Sequence, residues 1–551
     1  MDLYLIDAIG PFFVGYKKRV INWSKIPFEN LEKEDQLDNK KIAAIIPAFE
    51  QFLKSVKAIG YNGITIDDVA HLVDLEVYPE EYSKKIRQYQ DLYKKVIDLA
   101  LENDLKVFFN TDIMFFNQHI RNEVGRDRLK TMDLLQQAVS QALSQFSIDG
   151  IIFRIGETDG EDVTGDFKSK MIVKTPKQAN QLIKDLLPVF EEHNKHLIFR
   201  NWTVGCYAIG DLMWNPKSFN KTFAGINSPN LIISMKFGDT DFFSCLELNP
   251  LIFQCNHKIL LELQTRRERE CFGVFPYYVG WEYEAYYNRL KALNNLVGIT
   301  VWSQTGGWSR NRNLTWVEDS SVWNELNTTA TIQIFKDGIS AEKAIRLFFQ
   351  DERYVEFLKL FYDVFRRLLY IEDFANKQLY FRRTRIPPLL WFSWDYITVN
   401  PVMTAVYQIF SNKIYGFNEA KIDRIYQLGE ELKVENMEYC YDTLRLLSQC
   451  RKTLLGQYEA FRLLEYIGLF RRKHRHCNIK FFVKKGNEHV FWVRLLLRIF
   501  TRQRAKYRLV DRIFLNRIFA LTVFKVILLL VKGRMPKFTN KHAMKLELLF
   551  K

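Results

Sequence analysis

A chain of 551 residues, 48% hydrophobic and 26% charged, suits roughly two to four domains with large cores, and excludes a disordered or fibrous protein. Its net charge of +15 is concentrated: residues 471–551 carry 22 Lys/Arg against three acids, net +19, whereas the remainder carries 57 against 61, net −4, so any basic-surface partner belongs to that tail alone. Seven scattered cysteines with no CxxC pair exclude a disulfide framework and a zinc site of the usual spacing, and make a reducing cytoplasm the expected home.

In chain order, the opening "MDLYLIDAIG" lacks the basic start of a secretory signal and reads as a first strand. Further short, nearly continuous apolar runs follow: "GITID" from Gly63, "LKVFFN" from Leu105, "GIIFRIG" from Gly150, "HLIFRN" from His196, "LIISMKF" from Leu231, "KILLELQ" from Lys258 and "GITVWSQ" from Gly298. Hydrophobicity that does not alternate marks strands buried on both faces. Amphipathic stretches separate the early ones: "AAIIPAFEQFLKSVKAIG", "YQDLYKKVIDLALEND", "LKTMDLLQQAVSQALSQFS" and "TPKQANQLIKDLLPVFEEHN". Eight strands alternating with helices predict an α/β chain folded as a (β/α)8 TIM barrel over residues 1–330. A doubly wound sheet is the alternative, but no GxGxxG follows any strand.

Past Asp337 the strand pattern stops. Ser340 can cap a helix with Glu342 in its first turn, and an α-helical domain is expected over 331–470. Residues 471–551 mix arginines with bulky apolar side chains and predict a basic, amphipathic helical tail. Its longest apolar run, Ile518 to Val531, contains Lys525 and falls short of the roughly 20 residues that span a bilayer. Two roles stay open for the tail, lying on an anionic membrane or packing on the protein itself.

Active sites of (β/α)8 enzymes form at the carboxyl ends of the strands. Those ends carry Asp67 and Asp68; Asn110 and Asp112; Arg154, Glu157 and Asp159; Arg200, Asn201 and Trp202; Lys236, Asp239 and Asp241; Glu262 and Glu268; Trp302 and Trp308. There is no histidine pair at metal spacing and no GxSxG, so neither a metal nor another cofactor is expected. Facing carboxylates with aromatic walls are what glycoside hydrolysis needs, one acid protonating the leaving oxygen and the other activating water. Arg200 and Lys236 could then bind an anionic group on the sugar.

Through "SVKAIGYNGITIDDV", "LIFRNWTVG", "LIISMKFGDTDF", "LLELQTRRE", "TGGWSRNRNLTW" and "ISAEKAI", from about Phe49 to about Phe349, the chain resembles the α-glucuronidases of glycoside hydrolase family 67. The resemblance implies an inverting glycosidase that removes a terminal α-linked glucuronic acid. It places the general acid at Glu157, the water-activating pair at Asp241 and Glu268, and the uronate contacts at Arg200 and Lys236. Asp67, Asp68, Trp202, Trp302 and Trp308 are the further substrate-binding candidates, the two aspartates standing where the family has amides. The expected partners are an acidic oligo- or polysaccharide, an anionic membrane surface reached through residues 471–551, and a second copy in a homodimer; nucleic acid is not expected. The rival expectation is a non-catalytic or differently specific carbohydrate-binding barrel attached to surface-polysaccharide assembly at the inner face of a membrane.

Overall fold

The computed structural model describes residues 1–16, 26–155, 166–169, 172–201, 209, 212–213, 215–238, 242–244, 246–304, 314–318, 320–369, 380–381, 384–385, 391–393, 396–398 and 420–450. Eight parallel strands close a barrel: β1 (Leu3–Asp7), β2 (Gly63–Asp67), β3 (Lys106–Asp112), β4 (Gly150–Arg154), β5 (His196–Asn201), β6 (Leu231–Lys236), β7 (Lys258–Gln264) and β8 (Leu296–Trp302). Each strand pairs with the next in sequence, and β8 pairs with β1. The chain is therefore a (β/α)8 barrel, as its strand periodicity predicts.

Helices return the chain between strands, and their ends follow local chemistry. Helix α1 (Asn39–Ile59) starts at Asp38, whose carboxylate accepts the Lys40 N–H, and stops at Gly60 in the left-handed region, φ 110°. Helix α2 (Glu80–Glu102) starts nine residues before the periodic stretch at Tyr89. Glu80 and Glu81 sit in its first turn, where acids favour the helix dipole. Asp127 caps α3 (Arg128–Gln145), and Thr175 with Pro176 opens α4 (Pro176–Glu192). The Ser340 hydroxyl accepts the Lys343 N–H at 3.3 Å, the cap read from the sequence.

Leu3, Leu5, Phe108, Ile152, Ile198, Ile232 and Leu260 fill the barrel floor as one buried cluster. Glycines let strands approach there. A Cβ on Gly298 would lie 1.8 Å from the Leu3 carbonyl oxygen, and one on Gly150 would lie 2.3 Å from that of His196.

The chain divides into two compact units: Met1–Phe242, Glu247–Arg267 and Val279–Ala344 form the first; Phe243–Leu246, Glu268–Tyr278 and Ile345–Lys551 form the second. Within the second unit the described helices include α5 (Arg353–Leu369), α6 (Ala420–Glu431) and α7 (Met437–Cys450). Phe275 packs edge-on against Phe365, and Tyr277 lies 5.6 Å from Tyr362. The basic tail, 471–551, lies outside the described residues. Among the described residues no helix is long and apolar enough to cross a membrane.

Candidate active site

Side chains alternate across a strand, so the phase set by the floor fixes what faces inward above it. Two residues beyond Leu5 is Asp7; beyond Phe108 come Asn110 and Asp112; beyond Ile152, Arg154; beyond Ile198, Arg200. Ile232 leads to Ser234 and Lys236, and Leu260 to Glu262 and Gln264. The barrel interior thus changes from aliphatic to charged within one or two inward positions. Most of these polar residues are almost wholly buried.

Glu262 is the hub of one side. Both of its carboxylate oxygens lie 3.0 Å from Arg200 Nε. The Ser234 hydroxyl donates to Oε1 at 2.7 Å, and Trp302 Nε1 donates to Oε2 at 3.2 Å. The Arg200 guanidinium carbon sits 4.8 Å from the centre of the Trp302 ring, a cation–π contact. One acid therefore gathers groups from β5, β6 and β8. Lys236, opposite Glu262 in register, rests its ammonium 4.2 Å over the Phe242 ring.

Arg154 organises the other side. Its Nε donates to Asp112 Oδ1 at 3.0 Å, and its Nη1 lies 3.4 Å from Asp67 Oδ1. Asn110, between the two aspartates on the inward phase, is 1% exposed, and its Oδ1 has no hydrogen-bond partner among the described residues. Buried acceptors usually find donors, so an orphan of this kind suits a hydroxyl-bearing ligand or water.

The remaining sequence candidates fall elsewhere. Asp68 is one residue out of the inward phase. It accepts the His71 backbone N–H at 3.4 Å and pairs with His71 Nδ1 at 2.8 Å, while the His71 ring stacks on Phe28 at 3.6 Å. Asp7, which the sequence reading did not single out, brackets the closing seam: it accepts the backbone N–H of Ser303 at 2.7 Å and of Gln304 at 3.0 Å. Glu268 opens the short 3-10 turn Glu268–Gly273 of the second unit and is buried. Glu157, Asp241, Trp202 and Trp308 lie outside the described residues. Among the described residues no group of three or more His, Cys, Asp or Glu could hold a metal ion.

The sequence reading named Asn110, Asp112, Arg154 and Glu262 as strand ends yet gave them no role. Counting by twos from the apolar floor would have placed all four on the interior face.

No family model matches the sequence, and no curated protein matches it. Solved structures similar to the chain include a GH138 enzyme targeting pectin rhamnogalacturonan II, at 10% identity and TM-score 0.45, covering 86% of this chain and 59% of that one. CpGH84B is similar at 11% identity and TM-score 0.38, over 86% of this chain and 73% of its own. A D-allulose 3-epimerase from Methylomonas sp. is similar at 11% identity and TM-score 0.34, over 61% of this chain and 98% of its own. The chain thus spans less than two thirds of the length of the GH138 enzyme. Any activity in these names belongs to those proteins.

Proposed function

We propose that the chain is a glycoside hydrolase that removes a terminal α-linked uronic acid, glucuronic-acid-like, from an oligo- or polysaccharide by acid/base catalysis with inversion. The observation that carries this reading is the pair of cations Arg200 and Lys236, buried on adjacent strands at the carboxyl ends of a barrel whose opposite side presents Asp67, Asn110 and Asp112. A ring with a carboxylate on one edge and hydroxyls on the other matches both sides: the acid meets the cations, and the hydroxyls meet carboxylates and an amide oxygen.

Glu157, as the family resemblance implies, donates its proton to the glycosidic oxygen. Asp241, with Glu268 as its expected partner, takes a proton from the attacking water. Inversion requires acid and base carboxyls roughly 6.5–9.5 Å apart, leaving room for that water. The test is hydrolysis of an aryl α-uronide and of natural uronide oligosaccharides, with the anomer released followed by NMR. Glu157→Gln and Asp241→Asn should each slow turnover by about 10²–10⁴-fold. Parent-like rates in both variants, or first release of the retained anomer, would overturn the assignment.

Residues 471–551 are proposed to rest on anionic membrane. Liposome sedimentation of the full chain should rise with the anionic lipid fraction and fall with salt. Binding indifferent to lipid charge would remove this role.

A further inference from the structure

Glu262 sits among the strand-end acids, yet its surroundings give it little to do as an acid or base. Three donor groups, from Arg200, Ser234 and Trp302, converge on its two oxygens, and the residue is fully buried. A general acid or base has to come within roughly 2.6–3.2 Å of the proton it moves. The same contacts give it a different task. A free arginine side chain samples many rotamers, and binding must otherwise remove that freedom. Glu262 holds Nε, and the Trp302 ring lies beneath the guanidinium carbon, so this side chain is fixed from two directions. Trp302 is itself tied to the same carboxylate through Nε1.

We infer that Glu262 is a positioning residue: it presets Arg200 over Trp302 to receive the carboxylate of an acidic sugar. The inference rests on the uronide reading above. Preorganisation of this kind lowers the cost of binding and leaves the chemical step largely alone. Ser234 and Trp302 complete the same device, the first by donating to one oxygen of Glu262 and the second by donating to the other.

The experiment is steady-state kinetics of the full chain on an aryl α-uronide. In Glu262→Gln, KM should rise about 10–100-fold while kcat changes less than about threefold. Ser234→Ala, a milder change that reads the same network if Glu262→Gln does not fold, should raise KM about 3–10-fold. In an Arg200→Ala background, adding Glu262→Gln should raise KM by less than about twofold, because the group it positions is gone. An equal fall in kcat and kcat/KM, or the same KM increment with and without Arg200, overturns the inference and leaves the uronide reading standing. A parent that turns over no uronide overturns the reading, and the inference falls with it.

Discussion

The two sides of the barrel mouth solve the same problem in opposite ways. On the side built by β5 to β8, one acid serves one arginine and draws two further donors, from Ser234 and Trp302. On the side built by β2 to β4, one arginine stands between two aspartates, and the buried Asn110 carbonyl oxygen has no hydrogen-bond partner among the described residues. The first side is rich in donors gathered about one carboxylate, and the second is rich in acceptors gathered about one cation. Buried polar networks are stable when satisfied and costly when not. The acceptor-rich side is thus the one suited to a ligand's hydroxyls, and the donor-rich side the one that presets a cation.

Removing the central arginine from each side should break this symmetry of cost. Arg154→Ala takes the shared cation from Asp112 and Asp67 and should cost about 3–5 kcal/mol in denaturant unfolding. Arg200→Ala should cost less, about 2–3 kcal/mol, because Glu262 keeps the donors of Ser234 and Trp302. The reverse ranking would show that the two sides are not organised as described. A control below the mouth comes next: Gly298→Ala drives a methyl into the Leu3 carbonyl and should cost about 1–3 kcal/mol through strand separation, with a falling melting temperature as the readout. Trp302→Phe keeps an aromatic ring, though a smaller one, and loses the Nε1 donor to Glu262. It should cost about 1 kcal/mol, and a loss as large as that of Arg200→Ala would mean that Trp302 carries the site by packing instead.

The smallest effect belongs to the opposite, amino-terminal end of the barrel. Burial, and then the charge of Lys258, holds the His196 imidazole below its usual 6.5, and burial does the same to His257. The folded chain therefore binds fewer protons there than the unfolded chain. The stabilising contribution of these histidines is complete above about pH 6.5 and is lost as pH falls below it toward their folded values. Thermal melts from pH 7.5 to 5 should show a gentle decline, and His196→Gln should flatten it. An unchanged slope would move the acid sensitivity to other groups.

Much of the architecture was legible because both-sided burial leaves a plain signature. Runs such as "LIISM" and "KILLEL" carry apolar residues on both faces, and eight such runs separated by helix-length intervals leave few topologies. Helix α2 was read too short: the segment from Glu80 to Gln88 is mostly polar, and its start is set by Pro79 and the two glutamates in the first turn. Among the candidate residues, Arg200, Lys236, Asp67 and Trp302 were read as strand-end polar groups, and they lie on the inward phase of their strands. Asp68 looked equivalent to Asp67, but one step along a strand reverses the face, and its carboxylate serves His71.

What the sequence determined by itself was the number of strands, their order and the abundance of charge at their carboxyl ends, since periodicity and local propensity act over short stretches of chain. Which charge meets which was decided only when the barrel closed. Glu262 lies 62 residues from Arg200 and 40 from Trp302, and Arg154 lies 42 from Asp112. Strand register and barrel closure together bring such groups within hydrogen-bonding distance. Electrostatic pairing depends on that distance and on burial, and neither is written in the linear order of residues.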